Sequence, residues 1–339
     1  MTGIQKMEIQ EVPIPQIKDN EVLIQVKHVG ICGSDIHYYE FGNIGDFVVE
    51  PPFVLGHEAG GVIVEVGSEV RGLEAGDTVA IEPGVPCGKC KYCREGRYNL
   101  CDDMKFLATP PIQGVFQEYV AYPADMVYKL PDGMDTLEGA MLEPLNCGLY
   151  AAANLSNIKA GQTALVFGCG CIGLLLISSL KALGVTDIYA VDVIPERLKM
   201  AESLGIKAAW NGKQVDAVEE IYRVTNGRGA DVVFEAAGNY TTTRQSVKAV
   251  GKGGTVVITG MAAEPEIPLD IIGLVCKEAE IHTQFRYKNL YPTAIQMVAE
   301  GKIDVKKVIS HQCKLEDVPQ MFEQCIHDKA GVIKAVVAM

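Results

Sequence analysis

The chain has 339 residues, 48% of them hydrophobic, so it is long enough to form two hydrophobic cores. Acidic residues outnumber basic ones by 43 to 30, and the formal net charge of −13 disfavours nucleic acid or an anionic membrane surface as a partner. No apolar run approaches the roughly 20 residues of a membrane span, and the first residues, MTGIQKMEIQ, lack the apolar core of a signal peptide. Eleven cysteines, an odd number, predict reduced thiols or metal ligands in a cytoplasmic protein.

The first 145 or so residues contain short β-branched runs such as EVLIQVKHV, GGVIVEVG and DTVAIEP. Glycine and proline interrupt these runs at close intervals. This pattern predicts an antiparallel β domain with irregular loops.

Four cysteines, Cys87, Cys90, Cys93 and Cys101, follow the spacing CxxCxxCx7C. Cysteines two residues apart can turn their thiolates onto one tetrahedral ion, and a fourth closes the shell against solvent. Clustered cysteines can also be buried small side chains or disulfides, but CGKCKYCREGRYNLC is polar and basic rather than core-like. The loop therefore predicts a structural zinc site.

From Thr163 the pattern changes to apolar strands that alternate with helical stretches. TALVF precedes IGLLLISSLKALG, IYAVD precedes ERLKMAESLG, and the strands DVVFEAAG and GTVVITG follow. The alternation predicts a doubly wound parallel sheet with helices on both faces. After about Tyr287 come two helix-like segments and a last strand, GVIKAVVAM, which we expect to pack back onto the first domain.

The sequence GCGCIG lies directly after the strand TALVF and directly before a helix, as a dinucleotide-binding turn requires. Asp192 ends the next strand, where a carboxylate would accept hydrogen bonds from the adenosine ribose and repel a 2′-phosphate. NAD is therefore favoured over NADP. Arg197 could stack on the adenine or recruit a 2′-phosphate, and both roles stay open. The predicted coenzyme-binding residues are Gly168, Gly170, Ile172, Gly173, Asp192 and Arg197.

A second, open zinc site would supply the Lewis acidity that alcohol oxidation needs. Spacing alone does not unite its candidate ligands, and an ordinary hydrogen-bonded role for the histidine explains the sequence equally well. Pro144 suits a first helical position, which predicts an exposed helix start at Glu143, and Cys147 is a lesser candidate on the same helical face. The candidates outside the four-cysteine loop, each in a turn bounded by glycine or proline, are Cys32, His57, Glu58 and Glu143.

Six segments together resemble the zinc-containing medium-chain dehydrogenases, and most closely their sorbitol (polyol) dehydrogenase branch. They are GICGSDIHYYEFGNIGDF, GHEAGGVIVEVG, the four-cysteine loop, EPLNCG, GCGCIG and QFRY, in order along nearly the whole chain. The resemblance implies a GroES-like β-rich catalytic domain of residues 1–146 and 288–339 and a Rossmann NAD-binding domain of residues 147–287. It also implies an active site in the cleft between them.

In this family, residues at the matching positions bind zinc and relay a proton. The resemblance implies that Cys32, His57 and Glu58 hold the catalytic zinc, and that Glu143 completes the shell or holds the zinc-bound water. A carboxylate at this position is typical of polyol dehydrogenases, whereas many simple alcohol dehydrogenases have cysteine. Ser34 and His37 would relay the alcohol proton through the nicotinamide ribose to solvent, although His37 could equally be a plain surface residue.

The resemblance also indicates the substrate. A desolvated polyol needs several paired polar partners, whereas an ethanol-type pocket would be apolar. Arg286 and Tyr287 could instead brace the coenzyme or the domain interface, and Phe106 could be core. The residues expected to face the substrate are Tyr38, Phe106, Glu143, Arg286 and Tyr287.

We therefore predict a zinc-dependent, NAD-linked oxidation of a polyol of the sorbitol or xylitol type to the 2-ketose, and the reverse reduction. The alternatives are an L-threonine 3-dehydrogenase, a butanediol-type alcohol dehydrogenase, or a non-catalytic NAD(H)-binding protein, which should lack the zinc ligands. We expect a homotetramer, or else a dimer formed through the edge strand that ends near Phe285. Relatives usually begin with an extra strand-forming segment before the stretch that matches KMEIQEVPIP, so either the start is truncated or the first strand is shorter.

Overall fold

A computed structural model describes the whole chain, residues 1–339, which divides into two compact units. Unit 1 comprises Met1–Glu143 and Tyr291–Met339, and unit 2 comprises Pro144–Leu290. The boundaries predicted at 146/147 and 287/288 lie within a few residues of these. No helix combines the length and the apolar character that a membrane span requires.

The strands are β1 (Glu21–Gly30), β2 (Asn43–Ile44), β3 (Phe47–Val48), β4 (Glu58–Val66), β5 (Thr78–Ile81), β6 (Gly84–Val85), β7 (Lys105–Phe106), β8 (Tyr119–Pro123), β9 (Val127–Lys129), β10 (Thr163–Phe167), β11 (Asp187–Asp192), β12 (Ala208–Asn211), β13 (Ala230–Glu235), β14 (Val250–Ile258), β15 (Glu280–Thr283), β16 (His311–Lys314) and β17 (Ala335–Ala338). The helices are α1 (Gly33–Phe41), α2 (Lys91–Arg94), α3 (Thr136–Tyr150), α4 (Cys171–Ala182), α5 (Pro195–Ser203), α6 (Ala217–Val224), α7 (Tyr240–Ala249), α8 (Ile271–Val275), α9 (Tyr291–Ala299) and α10 (Val318–His327).

Unit 1 is built on a seven-stranded sheet in the order β16-β17-β1-β4-β5-β9, with β8 also paired to β1. All its pairings are antiparallel except β16 with β17. The β-branched residues predicted to form strands are buried here, including Ile24, Val29 and Val79. Strand β17 pairs with β1, Val337 opposite Val29, so the end of the chain completes the sheet that the beginning starts. The β-rich fold class predicted for this part of the chain is confirmed.

Unit 2 is a six-stranded sheet in the order β12-β11-β10-β13-β14-β15, with every neighbouring pair parallel. Its strands are buried apolar runs, as in β10, where Leu165 and Phe167 are 0% exposed. The predicted doubly wound fold is therefore confirmed. The single tryptophan, Trp210 on β12, stacks on Tyr189 of β11 with ring centroids 5.1 Å apart.

Helix α3 differs from the prediction. Its start is fixed by a reciprocal pair of hydrogen bonds: the backbone N–H of Asp135 donates to the Glu138 carboxylate at 2.9 Å, and the N–H of Glu138 donates to the Asp135 carboxylate at 2.9 Å. Pro144 therefore lies inside the helix rather than at its first position, and Glu143 is a buried interior residue, 5% exposed. The predicted helix start at Glu143 was wrong because this acidic capping pair sets the start seven residues earlier, at Thr136.

Candidate metal centres and coenzyme site

The four cysteines of the 87–101 loop converge. Their sulfur atoms all lie within 4.8 Å of one another, with Cys87 Sγ to Cys93 Sγ at 4.0 Å and Cys90 Sγ to Cys93 Sγ at 3.4 Å. None of the eleven cysteines forms a disulfide. A tetrahedral zinc with bonds of about 2.3 Å needs thiolates roughly 3.8 Å apart, so the spacing of these sulfurs fits zinc.

Backbone N–H groups of the loop donate hydrogen bonds to these sulfur atoms. The N–H of Cys87 donates to Cys101 Sγ at 3.3 Å, and the N–H of Cys90 donates to Cys87 Sγ at 3.4 Å. The N–H of Cys93 donates to Cys90 Sγ at 3.5 Å, which lowers the pKa of the Cys90 thiol to about 7. Thiolates are the species that bind metal, so this donor favours the ligand form at Cys90. At Cys93 and Cys101 burial acts in the opposite direction and raises the pKa of the thiol, to about 12 at Cys93.

A buried carboxylate anchors the loop to the sheet. Tyr98, between Cys93 and Cys101, donates from its hydroxyl to Glu82 Oε1 at 2.6 Å, and Tyr128 on β9 donates to Glu82 Oε2 at 2.9 Å. Glu82 is 3% exposed, and burial raises the pKa of its carboxyl group. The metal loop is thus tied to β5 and β9 by paired buried polar groups.

A second group of candidate ligands joins distant parts of unit 1. One donor atom each from Cys32, His57 and Glu58 lies within 4.8 Å of the other two. Cys32 precedes α1, and His57 and Glu58 stand at the start of β4. A catalytic zinc site takes three protein ligands, and the fold unites three candidates that spacing alone could not.

Asp35 organises this cluster and was not identified from the sequence. It is 0% exposed, and its carboxylate accepts hydrogen bonds from the backbone N–H of Cys32 at 3.0 Å and of Gly56 at 2.9 Å. Its Oδ1 also lies 3.6 Å from His57 Nδ1. Carboxylates behind a ligating histidine orient the ring and fix its tautomer. The signal was present, since Asp35 stands three residues after Cys32 in a capping box.

Two opposing effects act on the pKa of His57. Burial disfavours the charged imidazolium, but Asp35 and Cys32 together raise the pKa of His57 well above its usual value. Because a histidine ligand must be neutral, metal binding at this site displaces that proton.

Lys334 is a second organiser that the sequence did not reveal. It is 3% exposed, forms an ion pair with the Glu58 carboxylate and donates to the Ile31 carbonyl at 2.9 Å. A Cβ at Gly30 would lie 1.8 Å from Glu58 Oε2, so only glycine leaves room for this carboxylate. The Glu58 carboxylate is therefore paired with Lys334, which directly precedes β17, and occupies the space that Gly30 leaves at the end of β1.

The other predicted residues of unit 1 are placed as follows. Ser34 is half-buried on α1, and His37 is exposed with its ring 4.7 Å from that of Phe41. Tyr38 is 3% exposed within an apolar cluster. Phe106 is half-buried, with its ring centroid 5.7 Å from that of His57. Glu143 is buried but does not belong to the three-ligand group, and neither does Cys147, which is half-buried.

The glycines of GCGCIG have the geometry of a coenzyme turn. Gly168 has φ +95°, and a Cβ there would lie 2.7 Å from the backbone nitrogen of Ala237. A Cβ at Gly173 would lie 1.9 Å from the Gly168 carbonyl oxygen, and Gly170 caps α4. Ile172 is half-buried in the first turn of that helix. The turn fits a pyrophosphate at a helix N-terminus.

Asp192 connects the end of β11 to this turn. One carboxylate oxygen accepts from the Cys169 backbone N–H at 2.7 Å, and the other accepts from the Val193 N–H at 2.7 Å. A Cβ at Gly170 would lie 3.8 Å from Arg197 Nη1, so the guanidinium is close to the turn as well. The carboxylate that would bind the ribose is held rigidly beside the glycines.

Arg286 and Tyr287 follow the last strand of unit 2. The sequence QFRY was predicted to close that strand, but β15 ends at Thr283, one residue before it. Arg286 has φ +56°, and its guanidinium carbon lies 4.8 Å from the centroid of the Phe285 ring. Tyr287 is 4% exposed.

Comparison with known proteins agrees with this geometry. Residues 18–132 match the alcohol dehydrogenase GroES-like domain family, and residues 171–300 match the zinc-binding dehydrogenase family. The chain is 42% identical to the sorbitol dehydrogenase of Bacillus subtilis over 337 residues, covering 99% of this chain and 95% of that protein. It is 41% identical to D-xylulose reductase A of Aspergillus oryzae over 345 residues, covering 100% and 95%.

Solved structures show the same likeness. An Escherichia coli oxidoreductase of unknown specificity superposes with a TM-score of 0.94 at 42% identity, covering 99% of this chain and 97% of that one. The 2R,3R-butanediol dehydrogenase of Bacillus subtilis gives a TM-score of 0.91 at 34% identity, covering 99% and 97%. The chain therefore belongs to the polyol dehydrogenase branch of the zinc-containing medium-chain dehydrogenases, as an oxidoreductase of CH–OH groups with zinc and NAD as its cofactors.

Proposed function

We propose that this protein oxidises a secondary alcohol of a polyol, of the sorbitol or xylitol type, to the 2-ketose with NAD, and catalyses the reverse reduction. The observation that carries the proposal is the convergence of Cys32, His57 and Glu58 on one point of unit 1. It is supported by similarity over nearly the full chain to a sorbitol dehydrogenase and a D-xylulose reductase.

The catalytic and the structural zinc ions have separate sets of ligands. Cys32, His57 and Glu58 hold the catalytic zinc, and Glu143 either completes the shell or holds the water beside it. When bound, zinc supplies the Lewis acidity that lowers the pKa of the substrate hydroxyl, and NAD accepts the hydride. The structural zinc is held by Cys87, Cys90, Cys93 and Cys101, whose sulfurs lie at the spacing of a closed tetrahedral site.

Two residues of α1 are assigned to the transfer of the proton from the substrate hydroxyl. Ser34 accepts it from the substrate hydroxyl and His37 delivers it to solvent. The exposure of the His37 ring supports this direction, because the last member of a proton relay must reach water. Ser34 suits the first step, since a hydroxyl can accept and donate at the same time.

Substrate recognition is assigned to polar side chains that meet the remaining hydroxyls. Arg286 and Tyr287 provide most of them, with Tyr38 as a further donor. Phe106 forms an apolar wall beside the carbon chain, which agrees with its place next to the His57 ring. Such a lining discriminates against alcohols that would leave buried polar groups unpaired.

Coenzyme binding is assigned to the turn of unit 2. Gly168, Gly170, Ile172 and Gly173 receive the pyrophosphate at the start of α4, and Asp192 accepts from the ribose hydroxyls. Arg197 lies near the same turn, where it stacks on the adenine or recruits a 2′-phosphate.

The assembly is proposed to be a homo-oligomer, a tetramer or else a dimer, formed through the edge strand β15. The neighbouring α8 exposes Ile271, Ile272 and Val275 by 55%, 74% and 67%, more apolar surface than a solvated helix normally carries. A cytoplasmic location is proposed because eleven cysteines without a disulfide suit a reducing compartment.

The test is NADH formation by zinc-replete protein with sorbitol, xylitol, galactitol, L-threonine, butane-2,3-diol and ethanol. We expect turnover of the polyols that disappears on addition of a chelator. Turnover of threonine or butanediol alone would move the protein to another branch of the family. NADH binding without any turnover would contradict catalysis altogether.

A further inference from the structure

Gln284 donates hydrogen bonds from both N–H groups of its side-chain amide. It directly follows β15. Its Nε2 donates to the Cys147 carbonyl at 2.9 Å and to the Arg286 carbonyl at 3.0 Å. Its Oε1 accepts from the Thr259 hydroxyl at 3.0 Å. A primary amide has two N–H donors, so both are committed to the backbone of other residues.

These contacts bring three segments of unit 2 together at one side chain. Thr259 follows β14, and the backbone N–H of Gln284 also donates to the Ile258 carbonyl at 2.9 Å. Cys147 lies on α3, the helix that carries Glu143. Arg286 belongs to the segment that our proposed function assigns to the substrate. Gln284 therefore joins the sheet edge, α3 and the substrate segment.

Arg286 needs such support because of its backbone. Its φ of +56° lies in the left-handed region, which costs a non-glycine residue free energy and persists only where the surroundings hold it. The hydrogen bond from Gln284 to the Arg286 carbonyl is one such constraint. An arginine on a freely rotating backbone would sample many positions, and binding a hydroxyl would then cost more ordering entropy.

We propose that Gln284 is a positioning residue for polyol recognition: its carboxamide fixes the backbone of Arg286 against α3 and so determines where the guanidinium meets the substrate. The inference rests on the proposed function, in which Arg286 contacts a substrate hydroxyl. Only an amide fits this role. Glutamate would place a carboxylate oxygen against two carbonyl oxygens, and leucine of similar size would leave both carbonyls unpaired.

The test compares kcat/KM for xylitol with kcat/KM for butane-2,3-diol, which lacks the distal hydroxyls. We expect Gln284→Leu to lower the xylitol value about tenfold or more, mainly through KM, and to change the butanediol value by less than about threefold. Arg286→Ala should likewise lower the ratio of kcat/KM for xylitol to kcat/KM for butane-2,3-diol. The double variant should resemble Arg286→Ala alone, because the two residues act through one contact. NADH affinity should stay unchanged.

Two further variants keep the test decisive. Gln296→Leu replaces an exposed glutamine whose amide donates to Glu300, and it should leave all the kinetic constants unchanged. Thr259→Val removes a single bond from the Gln284 amide, so it should shift the ratio in the same direction by a smaller factor even if Gln284→Leu folds poorly.

The outcomes separate the inference from the proposed function. Equal losses with both substrates in Gln284→Leu and in Thr259→Val would overturn the positioning role and leave a general structural one. A shifted ratio in Arg286→Ala without any shift in the Gln284 and Thr259 variants would overturn the inference alone. An unchanged ratio in Arg286→Ala would show that the substrate assignment itself is wrong.

Discussion

The two proposed metal centres of unit 1 are built in opposite ways. The four cysteine ligands come from one loop, and backbone N–H groups of the same loop orient their sulfurs. The other centre takes Cys32 from the start of α1 and His57 and Glu58 from the start of β4, with Lys334 near the end of the chain behind them. The first centre needs only local chain, whereas the second forms only when the sheet of unit 1 is complete. Metal should therefore stabilise the first locally, and the fold should preorganise the second.

The sharpest test removes a ligand from the second centre. His57→Ala should lower kcat by about 10³-fold or more, because the remaining ligands no longer hold the ion that polarises the substrate. Zinc content should fall from two ions to one per chain, and NADH affinity should be retained. Steady-state rates, metal analysis and NADH fluorescence measure these effects. A natively folded variant with the parental rate would contradict the proposed mechanism.

Removing a ligand from the loop should act on stability rather than on chemistry. Cys101→Ser should lower the free energy of unfolding by about 3 kcal/mol, since the loss of a structural metal is among the largest single-residue effects. The rate per folded molecule should stay within a few-fold at low temperature. Cys276→Ser, at an exposed cysteine, is the matched control and should change neither quantity. A loss of rate without a loss of stability would reverse the roles assigned to the two centres.

Lys334→Met tests how far the lysine and how far zinc stabilise the buried Glu58 carboxylate. Without its lysine, the buried Glu58 carboxylate has lost a charge partner, and we expect the metal-free protein to lose about 3 kcal/mol. Zinc should restore part of this loss because it supplies positive charge at the same place. Denaturant unfolding with and without zinc measures the difference. Lys207→Met, at the exposed pair with Asp187, should have little effect in either state.

The smallest effect concerns the orientation of a ligand. Asp35→Asn keeps the size of the side chain but removes the charge beside His57, so zinc affinity at this centre should fall about 10- to 100-fold. Competition with a chelator measures it, and the four-cysteine site in the same molecule serves as the internal control. Equal weakening of both sites would indicate a general loss of structure.

The same contrast explains what could be predicted from the sequence. The four-cysteine loop and GCGCIG are local patterns, and the structure gives each the geometry that its spacing indicated. Spacing could not unite Cys32 with His57, because the contact depends on how β1 and β4 pair. Lys334 gave no sequence signal, since only tertiary structure brings it near Glu58. Gln284 lies within QFRY, but its contacts with Thr259 and Cys147 also depend on tertiary structure. The start of α3 was misjudged because the proline was weighed above the acidic capping pair.

Trp210 stacks on Tyr189 of β11, the strand that ends at Asp192. Its fluorescence can therefore report on the unfolding of one unit separately. Because it is the only tryptophan, light that excites indole alone reports on unit 2. Tyrosines occur in both units, such as Tyr98 and Tyr128 in unit 1 and Tyr189 in unit 2, so emission excited at a wavelength that tyrosine also absorbs reports on both. A denaturation followed at the two excitation wavelengths would thus reveal, without any label, whether the two halves melt together or one after the other.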